Sequence, residues 1–414
     1  MRILVLSHYY PPEVNAPASR ISEHARAWAA LGHDITIVTC APNHPDGNLY
    51  PGFRNRLFNR EMIDGVEVIR IWTWLAANQG FVFRTLNYIS YFVSVALQAW
   101  RLPKADIVLS SSPQFFCGLT GALLQRRKCP WVLEIRDLWP ESIIAVGAMR
   151  RGVLTRVLES MERFAYRRAD LVVSVTDSFV GHIAPSRPGK PIAVIKNGVD
   201  LGQFILADEE QIADFRVAHG LEGKFIAGYV GTHGMAHGLD TILEAAEALR
   251  DRPDIAFLMV GTGADRERVR DLRDLRGLTN VIMLDQQPKS AMPVIWSAID
   301  AALILLKRLD TFKSVLPSKM FEAMALQRPI VMGVEGEASA LLAEAEAGIA
   351  ITPEDAPALA QAVRVLAGDR AAAARMGANG AIFVRRHFDR VALAKTYIEQ
   401  FELVLAKRRE GEPH

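Results

Sequence analysis

FIAGYVGTHGMAHGLDTILEAAEALRDRPDIAFLMVG, residues 225–261, decides the fold. An apolar run breaks at Gly231 into a loop with further glycines at 234 and 238. A helix-like stretch then opens at Leu239, stops before Pro253, and gives way to a second apolar run. Near-continuous apolar strands separated by amphipathic helices are the pattern of parallel sheets covered on both faces.

The same alternation runs outward in both directions. The first half offers strands at ILVLS, ITIVTC, VEVIRIW, DIVLSS, WVLEIR, LVVSVT and IAVIK, and the second adds VIMLD, AALILL and PIVMGV. SRISEHARAWAALG reads as a helix closed by Gly32. The predicted fold class is therefore α/β, with two Rossmann-like, doubly wound parallel-sheet domains facing each other. The Asn-Gly turn in KNGVDLGQF (196–204) marks the junction, giving domains over 1–200 and 201–376. The tail, 377–414, returns to helix and is expected to pack back on the first domain. Ligands of open sheets bind beyond the carboxyl ends of the strands, so one site is expected in the cleft between the domains.

Bulk properties narrow the class. At 414 residues the chain exceeds one ordinary domain. Half of it is apolar and 23% charged, the balance of an ordinary folded protein without repeats or low-complexity tracts. Cys40, Cys117 and Cys129 stand singly, with neither disulfide nor zinc spacing, and read as buried thiols in a reducing compartment. Met1 leads directly into a strand pattern with no signal peptide, so a cytoplasmic location is expected. Net charge is +2, yet residues 1–200 hold 23 Lys and Arg against 16 Asp and Glu, and the remainder holds 25 against 30. A basic half fits nucleic acid, an anionic membrane or plain solvated surface. No helix-turn-helix, zinc finger or aromatic RNA-binding signature favours nucleic acid.

Two motifs carry chemistry. In GYVGTHGMAHG (228–238) the backbone N–H groups around Gly231 and Thr232 are placed to meet an anion such as a diphosphate; the alternative is a tight turn without a ligand. VLPSKMFEAMALQRPIV (315–331) supplies what a nucleotide would still need. Pro317 and Ser318 suit a helix start, Lys319 neutralises phosphate, and Glu322, one turn on, accepts hydrogen bonds from two ribose hydroxyls. An amphipathic helix with an exposed Lys and Glu is the plain alternative.

With these motifs in order, the chain resembles the retaining GT-B glycosyltransferases of family 4 over essentially its whole length. The resemblance is carried by the PP-containing first loop, ALGHDITIVT, the NGVD junction, the glycine loop, VGTGADRERV and FEAMALQRPIV. It implies a nucleotide-sugar donor, a UDP-sugar in first place, bound by the second domain, with Glu322 as the second acid of an E-x7-E motif. The first acid's place is taken by Ser314, which leaves the sugar open. The PSK step resembles a subgroup that builds cell-surface polysaccharides, including transferases of N-acetylfucosamine. His237 stands where relatives commonly place a lysine, and is expected to bring a hydrogen bond or, protonated, a charge.

The resemblance also assigns the first domain to the acceptor, a lipid-linked saccharide by preference. In EIRDLWPES (134–142), Arg136 and Asp137 stand where relatives often carry His and Asp. Asp137 is expected to orient the acceptor hydroxyl or to stabilise positive charge at the anomeric carbon, with Arg136 and Glu141 nearby. A strand-capping Arg136–Asp137 ion pair is the alternative. Relatives use the loop SHYYPPEVNAPASR (7–20) to shape the acceptor pocket, which makes Glu13, Asn15 and Arg20 candidates; a structural turn accounts for them equally. No cofactor is implied, and with no DxD-like acidic pair on a suitable loop metal-independent transfer is expected.

FVFRTLNYISYFVSVALQAWRL (81–102) is too interrupted for a membrane span. With the basic clusters RNRLFNR, QRRK, RRGVLTR and YRR it fits either peripheral docking on an anionic membrane or a core helix. Three rivals remain: a nucleotide-sugar epimerase of the same architecture, a non-catalytic membrane adaptor, and a nicotinamide oxidoreductase. The last is disfavoured because the first strand leads into HYYPPE rather than a GxGxxG turn.

Overall fold

The computed structural model describes residues 1–76, 81–125, 129–145 and 149–410. The chain forms two compact units, Met1–Asn197 with Arg390–His414 (unit 1) and Gly198–Asp389 (unit 2).

Unit 1 is built on an eight-stranded sheet. Its strands are β1 (Arg2–Leu6), β2 (Asp34–Cys40), β3 (Phe58–Ile63), β4 (Val66–Ile71), β5 (Ile107–Ser111), β6 (Trp131–Ile135), β7 (Leu171–Ser174) and β8 (Ile192–Val194), in the spatial order β3-β4-β2-β1-β5-β6-β7-β8. All neighbours are parallel except the β3–β4 hairpin, and β1 sets the register with Ile3 opposite Ile35 on one side and Ile107 on the other. Alternation along β1 divides the core. Leu4 and Leu6 face the helices α2 (Phe81–Gln98), α3 (Phe115–Gln125) and α4 (Val153–Arg168), while Ile3 and Val5 face α1 (Ala16–Ala30) and the C-terminal helix Arg390–Arg409.

Unit 2 carries a six-stranded, wholly parallel sheet in the order β11-β10-β9-β12-β13-β14. Its strands are β9 (Phe225–Val230), β10 (Ile255–Val260), β11 (Val281–Leu284), β12 (Ala301–Leu305), β13 (Ile330–Gly333) and β14 (Gly348–Ala350). The helix α5 (Asp240–Ala248) covers one face, while α6 (Lys319–Ala325) and part of α7 (Arg370–His387) cover the other. Strand order reverses at β1 in unit 1 and at β9 in unit 2. The loops 7–20 and 231–239 therefore leave from the two switch points, where open α/β sheets bind ligands.

The return to unit 1 begins at Arg390 rather than at 377. Gly377 and Gly380 bring α7 against the end of α6; a Cβ on Gly377 would lie 2.0 Å from the Gln327 carbonyl oxygen. Only the last helix, α8 (Arg390–Arg409), packs on unit 1, where the Trp28 indole N–H donates to the Ala394 carbonyl at 2.9 Å. Cys40 and Cys117 are buried free thiols, and Cys129 is half-buried. Among the described residues no helix is long and apolar enough to cross a membrane. Arg126, Arg127 and Lys128 of the QRRK cluster lie outside the described residues.

Candidate active site

In unit 2, β9 ends at Gly231, whose φ of 135° no side chain adopts without strain. Its N–H donates to Val260 O at 2.9 Å, extending the β9–β10 ladder by one bond. This corrects its expected role as an anion donor. What Gly231 contributes is conformation and room, since a Cβ there would stand 3.6 Å from Lys319 Nζ. The His233 N–H is likewise engaged, with Thr262 O at 2.9 Å, whereas the N–H groups of Thr232 and Gly234 have no acceptor among the described residues. Gly261 braces the loop from behind, where a Cβ would lie 2.0 Å from Gly231 O.

Lys319 is the first residue of α6, and its Nζ sits 3.8 Å above the centre of the Tyr229 ring. That nitrogen is shielded from solvent and has no hydrogen-bond partner among the described residues. Burial pushes its pKa down to about 7, against the opposing pull of Glu322. A buried amine resting on the negative face of an aromatic ring, its charge only partly supported by Glu322, is poised to hold its proton against an incoming anion. Glu322 is half-buried and its Oε2 accepts from the Trp296 indole N–H at 3.2 Å. Ser318 makes no side-chain cap at the start of α6.

His237 lies on the same side, with its ring 5.9 Å from that of Tyr229 and Nδ1 3.3 Å from Leu305 O. Burial, reinforced by Lys319, lowers its pKa to about 4. The imidazole is therefore neutral near pH 7, which of the two expected roles favours the hydrogen bond over the charge. With the Nδ1 proton on the carbonyl, Nε2 presents a lone pair. Sequence reasoning missed Tyr229, Trp296 and His233. The last is fully buried, with neither ring nitrogen partnered, and burial holds its pKa near 4. The aromatic before Gly231 was the one legible signal. Ser314, in the missing acid's place, donates to Thr311 O at 3.0 Å.

In unit 1 the candidates divide. Arg20 is buried and all five of its N–H donors are engaged: Nε with Glu134, Nη1 with Lys196 O and Asn197, Nη2 with Ile195 O and the Tyr397 hydroxyl. Glu13, also buried, accepts the Asn43 and His44 N–H groups at 2.9 Å each, clamping the first loop to the second. Asn15 caps α1 by accepting from Ala18 N at 2.9 Å. Arg20 is spent on the fold, which corrects its expected acceptor role; Glu13 and Asn15 brace their loops, while Glu13 Oε2 and Asn15 Nδ2 are shielded without a partner among the described residues. Glu141 is exposed and 3.3 Å from His182.

Arg136 and Asp137 are half-buried at the end of β6 and do not pair with each other. Arg136 donates its backbone N–H to Ser112 Oγ, and its Nε and Nη1 are shielded without partners. Burial lowers its pKa to about 10 even with Glu134 opposing. Asp137 accepts from the Ser142 hydroxyl at 3.0 Å, and burial raises its pKa. A small hollow beyond β1 and β2 is lined by His8, Tyr9, Asn43, His44, Arg84 and Tyr88.

Comparison with known proteins agrees with this division. A model described as "Glycosyl transferase 4-like domain" matches residues 15–198, and one described as "Glycosyl transferases group 1" matches residues 211–382. The colanic acid biosynthesis glycosyl transferase WcaI of Escherichia coli (strain K12) is 26% identical over 376 residues, covering 88% of this chain and 91% of its own length. The structure of sucrose-phosphate synthase from Thermosynechococcus elongatus superposes with a TM-score of 0.74 at 19% identity, covering 98% of this chain and 99% of that one. Anabaena HepE, solved in complex with UDP and glucose, gives 0.71 at 17% identity over 97% and 99%. The two parallel-sheet units have the GT-B fold, and with these two domains in tandem the chain is a glycosyltransferase.

Proposed function

We propose that this protein moves a glycosyl group from a nucleoside diphosphate sugar, a UDP-sugar in first place, to a hydroxyl of a lipid-linked saccharide during assembly of a cell-surface polysaccharide, with retention at the anomeric carbon. The observation that carries the donor half is the shielded Lys319 Nζ beside Gly231, which among the described residues has no hydrogen-bond partner, as the Thr232 and Gly234 N–H groups of the adjoining loop have no acceptor there. The polysaccharide context rests on the likeness to WcaI, and the UDP preference on the likeness to HepE. The PSK step makes the N-acetylfucosamine type the subgroup to test first.

In this reading the bond between the anomeric carbon and the diphosphate oxygen breaks as the bond to the acceptor oxygen forms, and the acceptor proton passes to the departing diphosphate. Negative charge gathers on the leaving group, where Lys319 and the two amides stabilise it without a metal ion. Glu322 takes the ribose hydroxyls. His237 accepts a hydrogen bond from a hydroxyl of the donor, and Asp137 orients the acceptor. The direct test is a thermal-shift panel of UDP-, GDP- and ADP-sugars, followed by mass spectrometry of products with a lipid-diphosphate sugar.

Two results follow. Glu322→Ala weakens UDP binding about 10- to 100-fold, the worth of hydrogen bonds to a charged group, while 2′-deoxy-UDP distinguishes the variant from the parent far less. Equal loss for both nucleotides in calorimetry contradicts the ribose role. The second concerns pH. A diphosphate raises the Lys319 pKa from its value of about 7 in the free protein, so binding takes up a proton. Affinity for UDP-glucose is then flat below pH 7 and falls by up to about tenfold per unit above it. His233 and His237, neutral on the same side, do not titrate in that range.

A further inference from the structure

The proposed transfer leaves one large feature of unit 1 unused. α2 buries Asn87, Tyr88, Tyr91 and Val95 on its inner side, yet its outer side exposes Phe83 (59%), Leu86, Val93 and Leu97 (71%), followed by Trp100 at 78%. At 100° per residue the four α2 residues fall within one 80° sector, a continuous apolar stripe. Trp74 is also exposed and is bound to this helix, its N–H on Ser90 Oγ and its carbonyl taking the Asn87 amide. At the far end Arg101 lies 4.1 Å over the Phe58 ring, with Arg60 5.4 Å from the same ring.

Charge accompanies the stripe. From residue 68 to residue 105 the sequence holds no acid, and Arg101 and Lys104 at the end of the stripe are exposed. α4 lies in the same helical layer, on the other side of α3. It exposes Val153, Leu154, Val157 and Phe164 among Arg156, Arg163, Arg167 and Arg168, with Arg150 and Arg151 just ahead. Of its two acids, Glu162 is buried and Glu159 lies 4.0 Å from Arg163.

We propose that this α2–α4 face rests on an anionic phospholipid bilayer, with α2 lying in the plane of the interface. Exposed Trp beside Arg, an aliphatic stripe and a clear positive excess match the headgroup boundary, where aromatic rings settle and basic side chains reach the phosphates. Trp and Arg are also enriched in protein interfaces; what favours a bilayer is that basic side chains line the face beside both helices, which matches a plane of phosphates. The proposal deepens the acceptor half of the transferase reading and depends on it only for its biological purpose. The inner side of α2 contributes Arg84 and Tyr88 to the hollow beyond β1, so a lipid-held acceptor would meet the protein along the element that touches the membrane.

The test is flotation of the full chain with vesicles of 7:3 phosphatidylcholine to phosphatidylglycerol and with vesicles of phosphatidylcholine alone. The parent binds the anionic vesicles, binds neutral ones at least tenfold more weakly, and releases as salt rises from 0.1 to 0.5 M. Phe83→Ser with Leu97→Ser, both at exposed positions, lowers binding at least tenfold, and Arg156→Glu with Arg163→Glu lowers it on anionic vesicles alone. Thermal unfolding, which reports on unit 1, serves as the fold control and stays unchanged, as does UDP affinity, which belongs to unit 2. Retained UDP binding without flotation overturns the membrane face and leaves the transferase reading intact. Flotation insensitive to both pairs of substitutions, or self-association through this face without flotation, overturns it equally.

Discussion

Lys319→Ala lowers the rate of glycosyl transfer by about 10²- to 10³-fold, the range found when one preorganised donor to a developing oxyanion is removed. The loss is read at saturating donor as turnover, donor affinity falls as well, and binding of free uridine, which lacks phosphates, is unaffected. The reason is local. In the free protein the Lys319 nitrogen rests on the Tyr229 ring with no hydrogen-bond partner among the described residues and only the distant pull of Glu322, so its interaction with substrate grows as charge collects on the leaving diphosphate. Lys319→Arg does not restore the rate, because a planar guanidinium does not reproduce a compact ammonium 3.8 Å above the ring and beside Gly231. Single-turnover kinetics with a saturating donor checks both variants. A drop confined to KM, with kcat intact, contradicts the leaving-group role.

The second large effect is on stability. Arg20→Ala destabilises unit 1 by about 3–5 kcal/mol, the cost of leaving half of a buried ion pair behind. Arg20 Nε and Glu134 Oε1 are 2.8 Å apart, and both side chains are 1% exposed. Burial alone would raise the Glu134 pKa; Arg20, then Arg136 and the hydroxyls of Ser111 and Tyr397, reverse this and bring it to about 2. A depressed carboxylate contributes stability that is complete above its unfolded value near 4.5 and disappears as pH falls through 2. That shift corresponds to roughly 3 kcal/mol, in line with the mutational figure. Urea unfolding of parent and variant at pH 7 and pH 3 measures it, and the difference between them shrinks at the lower pH. Because Arg20 and Glu134 both meet Tyr397, the variant also loosens α8, which hydrogen exchange across Arg390–Arg409 detects.

Much of the fold is legible because apolar strands buried on both faces announce themselves, as FIAGYVG and AFLMVG do. The two strands that sequence reading missed lack that signal. β3, FNREMI, is a half-exposed antiparallel edge, and β14 is three residues long. The turn back to unit 1 was placed at 377 because the contact of Gly377 with Gln327 joins segments that sequence does not relate. In the site, Gly231, Lys319 and Glu322 are legible as a group because a glycine loop at a switch point and a Pro-Ser-Lys helix start each favour an anion. Which N–H groups are available is not legible, since one added ladder bond to Val260 takes that of Gly231. Arg20 shows the limit most plainly. An arginine in a loop-led helix suits a ligand or a core equally, and its side-chain partners lie 114 to 377 residues away.

The account stands on Lys319 and the loop beside it receiving a diphosphate. A crystal structure of the protein with UDP tests this most directly. The account predicts the β-phosphate within about 3 Å of Lys319 Nζ and of the Thr232 and Gly234 nitrogens, with the ribose hydroxyls on Glu322. UDP bound elsewhere, or bound with Lys319 still seated on Tyr229 and away from phosphate, contradicts it.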